Sequence, residues 1–463
     1  MADAPTRRFL EGPLRRVYAA TALPIIFVMG MNGVLAVTDA LFLGWFVGPE
    51  ALAAVTLMFP AYMVLVALST LVANGMSSIL ARRLGAGAYT EAQATFAGAH
   101  GLALCMSAGL CVLFVLFGRS AVQVLMGGSP VLTEMGLTYL KIVVFCSPLF
   151  FVLAVNGDAL RNEGRVGLMA GISVLISLAN IAFNLLLIGR FGMGVAGSAY
   201  GTALAQALAL SIVLGFRIYG PTRLRPSALW RYSLATGWGR ILALGAPQSL
   251  NFTGLALGSL TIVLALQFVG PVNGEATLSA YGIVTRVLTF AFLPLLGLSH
   301  AMQTITGNNF GAQNFPRVDA SLKFAVMAAA LYCVLAQLIF NLFATQIGRV
   351  FVDSPLVASE VGRILPTLTA CFFLSGPLML IAAHFQAIGD AARAALLSLA
   401  KPYGFAVPLT VAFAVTLGEP GIWMAGPTAE ALLLGLTGLV LVQTARTRPL
   451  RWGLFGRATG ERT

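Results

Sequence analysis

A single carboxylate, Asp39, lies inside an apolar run that extends from Ala19 to Phe46. A bilayer's hydrocarbon core, ~30 Å thick, takes roughly 20 apolar residues of helix, so this run is long enough to cross it. A carboxylate placed there costs about 2.5–3.5 kcal/mol, and such residues generally face a water-filled cavity and bind or relay something. Two amides, Asn180 and Asn184, stand four apart in SLANIAFNLLLI and so share one face of a helix. Thr202 and Gln206 repeat that spacing in the next apolar run. At 1.5 Å per residue Asp39 is about 20 residues along a rising helix, in its far half, and the amides and the hydroxyl fall at nearly the same level. One carboxylate, two amides and a hydroxyl can thus converge at one depth in the first half of the chain.

The elements that must position these groups are transmembrane helices. Hydrophobic residues make up 58% of the 463 residues and charged residues only 10%, against about 25% charged in soluble domains. Apolar runs near 19–46, 51–73, 93–117, 133–155, 166–188 and 194–216 form one group of spans. Runs near 239–268, 276–300, 320–344, 361–385, 394–417 and 420–444 form a second. The reading is an all-α polytopic membrane protein with twelve transmembrane helices in two pseudo-symmetric six-helix lobes, with a cleft between them. Residues 1–18 are a cytoplasmic tail, 19–216 the N-lobe, 217–238 a cytoplasmic linker, 239–445 the C-lobe and 446–463 a second cytoplasmic tail.

The net charge of +12 does not point to nucleic acid, because the basic residues sit in short loops and form no patch or helix face. They report orientation. Arg7, Arg8, Arg15, Arg16, Arg82, Arg83, Arg161, Arg165, Arg217, Arg223, Arg225, Arg231 and Arg240 fall on the side of the N-terminal tail, and so do Arg317, Lys323, Arg393, Arg446, Arg448, Arg451, Arg457 and Arg462. The opposite loops hold only Arg119, Arg190, Arg349 and Arg363. The positive-inside rule then places both termini in the cytoplasm.

The two groups of spans repeat one another. Phe46-Val47-Gly48-Pro49 recurs at Phe268 to Pro271, Leu23-Pro24 matches Ala246-Pro247, and Leu160 to Gly164 matches Phe385 to Gly389. All lie about 225 residues apart, and a period holding six spans gives both halves the same topology, the arrangement of an alternating-access transporter. The second half has no acid matching Asp39. Asn251, Arg286 and Glu430 are its candidates for cavity lining, joined by Gln206 from the first half, and Glu430 and Arg286 are also candidates for structural pairing. Five cysteines, all in apolar runs without metal or CxxC spacing, read as small hydrophobes. The three histidines lie in different spans, and no HExxH or GxSxG constellation accompanies them, so catalysis is not expected and neither is a cofactor or a bound metal.

Pro24 with Asp39, the Gly85-Ala86 turn, Asn180 to Ile188 followed by Gly192-Met193-Gly194-Val195-Ala196-Gly197, Pro247, and Phe385-Gln386-Ala387-Ile388-Gly389-Asp390 together resemble the multidrug and toxic compound extrusion (MATE) family over nearly the whole chain. The resemblance implies efflux coupled to an entering proton or sodium ion, with Asp39, Asn180, Asn184 and Thr202 as the N-lobe cation site. Position 184 is Asn here where many members carry Asp, and span 7 lacks the acid of one sodium-coupled branch. Both departures point to the branch resembling DNA-damage-inducible protein F. A lone buried carboxylate can carry a proton by itself, whereas sodium wants several oxygens and local negative charge, so the coupling ion is expected to be H+, with Na+ at Asp39, Asn180, Asn184 and Thr202 as the alternative.

Pro24 and the glycines around it make span 1 the one best able to bend, with Pro24 as hinge. The expected activity is antiport of organic, often cationic, compounds across the inner (plasma) membrane by a monomer whose partners are those small molecules and the bilayer. The alternatives are a lipid-linked precursor flippase or a metabolite exporter of the same superfamily. Ala81-Arg82-Arg83-Leu84-Gly85 also resembles the basic turn of the major facilitator superfamily, but lacks the acid beside the arginine.

Overall fold

The computed structural model describes residues 4–126, 129–271, 273–448 and 450–456. Arg457 and Arg462 of the expected C-terminal tail lie outside the described residues. Ten helices are long and apolar enough to cross a membrane, and two bent pairs bring the spans to twelve. Helix 1 is Leu14–Phe46, helix 2 Phe59–Gly85, helix 3 Tyr89–Leu125, helix 5 Val166–Asn184 with Leu185–Arg190 following as a π-turn, and helix 6 Gly194–Tyr219. Helix 4 is Pro130–Phe145 plus Ser147–Asn162. Helix 7 is Trp238–Val269, helix 8 Gly274–Gly311 and helix 9 Phe315–Phe351. Helix 10 is Pro355–Leu368 plus Phe372–Ile388, helix 11 runs from Ala391 to Leu417 through a π-turn at Ala400–Ala406, and helix 12 is Glu419–Thr447.

Several boundaries differ from those expected. The run read as one span from residue 51 is divided at Met58: Pro49–Leu57 is a separate short helix, and helix 2 begins at Phe59 with Pro60 in its first turn, where a missing N–H costs nothing. Helix 1 starts at Leu14, and the preceding segment is itself helical over Ala4–Glu11, with Phe9 buried. The polar linker holds one helical turn, Ala228–Arg231. Arg217, read as the linker's first residue, lies in helix 6 and is fully buried, and Arg161 is buried as well. They are internal ties rather than solvated loop charges.

The internal repeat has structural counterparts. The fourth helix of each half is bent, by 47° in helix 4 and 49° in helix 10. The fifth helix of each half, helix 5 and helix 11, contains a π-turn. The chain divides into two compact units, Met1–Ser249 and Leu250–Thr463, so the first turns of helix 7 pack with the first unit.

Within that unit, helix 7 touches helix 2 backbone to backbone. A Cβ on Gly245 would lie 1.8 Å from the Leu71 carbonyl oxygen, and one on Gly75 would lie 2.0 Å from that of Ile241. Only glycine at both positions permits this approach. Gly245→Val is expected to destabilise the protein by about 1–3 kcal/mol through overpacking, seen as a lower midpoint of thermal unfolding. Gly258→Val, in the same helix with nothing within 4 Å of its built Cβ, is the control that leaves the midpoint in place.

In the second unit, Asp390 caps helix 11 and accepts hydrogen bonds from Arg393 Nη1 (2.6 Å) and Arg448 Nη2 (2.7 Å). Burial alone would raise this carboxyl, but the hydrogen bonds and charge of Arg393 and the charge of Arg448 outweigh it and hold it below the usual carboxylate range. Asp390 therefore serves as an anchor for the chain end beyond helix 12.

Candidate cation site

Helices 1, 5 and 6 bring the expected polar residues into one connected relay. Asn184 Nδ2 donates to Asp39 Oδ1 at 2.6 Å and to Asn180 Oδ1 at 3.1 Å. Asn180 Nδ2 in turn donates to Thr202 Oγ1 at 2.9 Å. Both asparagines are fully buried, which the i, i+4 spacing on helix 5 achieves by aiming both amides at the same neighbours. Every donor reaching the Asp39 carboxylate is neutral, and among the described residues no cation pairs with it. The Asn184 Oδ1 oxygen, buried beside the carboxylate, accepts from no donor among the described residues.

Local backbone features explain how helix 5 presents these amides. The π-turn starts at Leu185, immediately after Asn184, so the α-helical hydrogen-bond pattern ends at the site, a placement common for functional π-bulges. Gly201, next to Thr202 on helix 6, is the residue that sequence reading passed over. A Cβ there would lie 2.2 Å from Asn184 Oδ1, so any side chain would push the amide off Asp39. The signal was present as the Gly197-Ser198-Ala199-Tyr200-Gly201 run, a small-xxx-small pattern that lets helices approach closely. Tyr62 on helix 2 and Tyr139 on helix 4, also not foreseen, lie within electrostatic reach of Asp39.

The remaining candidates separate from this group. Gln206 is half-buried one turn beyond Thr202, where the relay ends, and Asn251 is half-buried on helix 7. Pro24 sits inside helix 1, which continues unbroken past it to Phe46. Arg286 is exposed on helix 8 and, among the described residues, makes no hydrogen bond or ion pair. Glu430 pairs instead with Lys401, and Ser375 donates to the same carboxylate oxygen.

A membrane-embedded carboxylate met by neutral donors, in a helical chain that crosses the bilayer many times, is the mark of an ion or substrate pathway, as in a solute transporter. The chain belongs to the MatE family, whose sequence model matches it twice, over residues 24–186 and 252–412, one match in each half. It is similar to the probable multidrug resistance protein YoeA of Bacillus subtilis, 23% identical over 89% of this chain and 90% of that one. It is also similar to an FAD transporter of Shewanella oneidensis, 23% identical over 94% of this chain and 95% of the relative. Among solved structures, an outward-facing multidrug resistance MATE family transporter of the MOP superfamily matches with a TM-score of 0.85 at 22% identity, covering 96% of this chain and 99% of that one.

Proposed function

We propose that this transporter exports small organic compounds, often cationic, across the inner (plasma) membrane in exchange for a proton that binds Asp39. The observation that carries the reading is the charge balance at the site: Asp39 receives an amide N–H from Asn184 and no positive charge. A carboxylate so placed is stable as an anion only while water or a cation reaches it, and protonation removes the requirement. Sodium would need several of these oxygens drawn round it, the unengaged Asn184 Oδ1 among them, whereas a proton needs only the carboxylate. The relatives named for multidrug resistance support an organic, varied substrate. The relative named an FAD transporter favours a second reading, export of a natural metabolite by the same cycle.

In this cycle the charged Asp39 keeps the region between helices 1, 5 and 6 hydrated and favours a cationic substrate. The protonated acid lets helix 1 pack drily, bending at Pro24, where the ring removes one backbone bond. A ligand shifts two conformations only by its differential affinity for them, so the proton drives the cycle because one conformation holds it better.

The test is exchange in proteoliposomes with a proton or a sodium gradient imposed separately, against a panel of organic cations. Substrate movement is expected to follow the proton gradient. Exchange driven by sodium without a pH difference would overturn the assignment. The same reading puts both termini in the cytoplasm, so a cysteine introduced between residues 220 and 237 stays unlabelled by an impermeant reagent added to intact cells.

A further inference from the structure

The second unit holds an ion pair at membrane depth that the Asp39 cycle does not use. Glu430 lies about 16 Å into helix 12 and Lys401 about 15 Å into helix 11, near the middle of a ~30 Å core. One oxygen of Glu430, Oε1, accepts from both the Lys401 ammonium and the Ser375 hydroxyl of helix 10. The other, Oε2, is buried and accepts from no donor among the described residues. The two partners differ in access: the lysine side chain is 33% exposed and the glutamate 5%. Lys401 sits in the π-turn of helix 11 and is followed by Pro402, while Pro377 lies just beyond Ser375 and Pro427 just before Glu430. Each proline removes a backbone hydrogen bond, so all three elements around the carboxylate can adjust locally.

We propose that Glu430 and Ser375 form a second intramembrane binding site, one for a protonated amine, which the Lys401 ammonium occupies as a tethered ligand. A carboxylate with one unengaged oxygen can accept further N–H bonds, and an alkylammonium offers three donors, as lysine does. Glu430 cannot be left alone, since breaking a buried pair by removing one partner leaves an uncompensated charge. Replacing one ammonium by another keeps the buried charge constant. Lysine is the partner able to leave, because its stem is already partly exposed.

The probe is n-butylammonium, a copy of the lysine side chain, titrated against the thermal unfolding midpoint of the purified full-length protein. A ligand that binds only the folded state raises that midpoint with concentration. Lys401→Met removes the tethered competitor and is expected to lower the half-saturating concentration at least about tenfold, since a short tether presents its group at millimolar effective concentration. Glu430→Gln is expected to abolish the response. The double variant Lys401→Met/Glu430→Gln buries no lone charge and carries the test if Lys401→Met alone does not fold. Loss of the wild-type response in the double variant supports the site, and a retained response overturns it. Equal half-saturation in wild type and Lys401→Met also overturns it. The difference in half-saturation between wild type and Lys401→Met is expected to persist in an Asp39→Asn background, so this result is read independently of any cation held at Asp39.

Discussion

Asp39→Asn is expected to remove nearly all proton-driven exchange while leaving the protein folded. The substitution keeps the volume and a hydrogen-bonding side chain, so Asn184 retains a partner, yet no group remains on helix 1 whose charge a proton can cancel. The expected loss is about a hundredfold, the upper range of coupling between two sites, measured as substrate exchange in proteoliposomes against wild type. A second readout separates coupling from simple damage. Spin labels at Leu41 on helix 1 and Leu178 on helix 5, both exposed, should report a distance that changes between low and high pH in wild type. In Asp39→Asn that change should vanish. Full exchange in the variant would place the coupling group elsewhere. A helix 1 that stays still with pH in wild type would instead remove Pro24 from the mechanism.

Arg217→Leu is expected to cost about 3–5 kcal/mol of stability, more than any other single change considered for this chain. Its guanidinium is fully buried and makes four hydrogen bonds: Nε to Asn156 Oδ1 (2.5 Å), Nη1 to Glu163 Oε2 (3.2 Å) and the Leu224 carbonyl (2.9 Å), and Nη2 to the Asn156 carbonyl (3.3 Å). It also lies 4.7 Å from the centre of the Phe96 ring. Thr222 donates to the same Glu163 carboxylate, and Asn156 Nδ2 is 3.0 Å from His100 Nε2. One side chain therefore ties the chain leaving helix 6 to helices 3 and 4. Leucine would leave the Glu163 carboxylate buried without its cation and several acceptors without donors. The unfolding midpoint of Arg217→Leu should fall well below wild type, and adding Glu163→Gln should recover part of the loss because the orphaned charge is gone. If Glu163→Gln recovers nothing, the cost belongs to the linker carbonyl and to Asn156.

What the amino-acid order determined by itself is what can be read along one dimension. Run lengths of apolar residues against bilayer thickness determined the spans, and matched segments about 225 residues apart determined the repeat. The depth of Asp39 and the spacing of Asn180 and Asn184 brought the site into view, because a helix converts spacing into a shared face and residue count into depth. Rotation of each helix about its axis is a different matter. Facing lipid, the outside of a helix is as apolar as its inside, so hydrophobic periodicity carries little of the signal that orients helices in water. Only the tertiary structure could decide that Asn184 reaches Asp39 at 2.6 Å while Asn180 links on to Thr202, that Gly201 makes room for the Asn184 amide, and that Glu430 meets Lys401 while Arg286 has no hydrogen bond or ion pair among the described residues. The same holds for Arg217 and Arg161. Beside a loop, a basic residue reads as a solvated charge, and only packing against Glu163 and Asp158 shows it to be an internal tie. The division at Met58 and the π-turns at Leu185 and Ala400 were decided in the same way, by backbone hydrogen bonds that shift locally where neighbouring helices and prolines leave no room for the regular pattern.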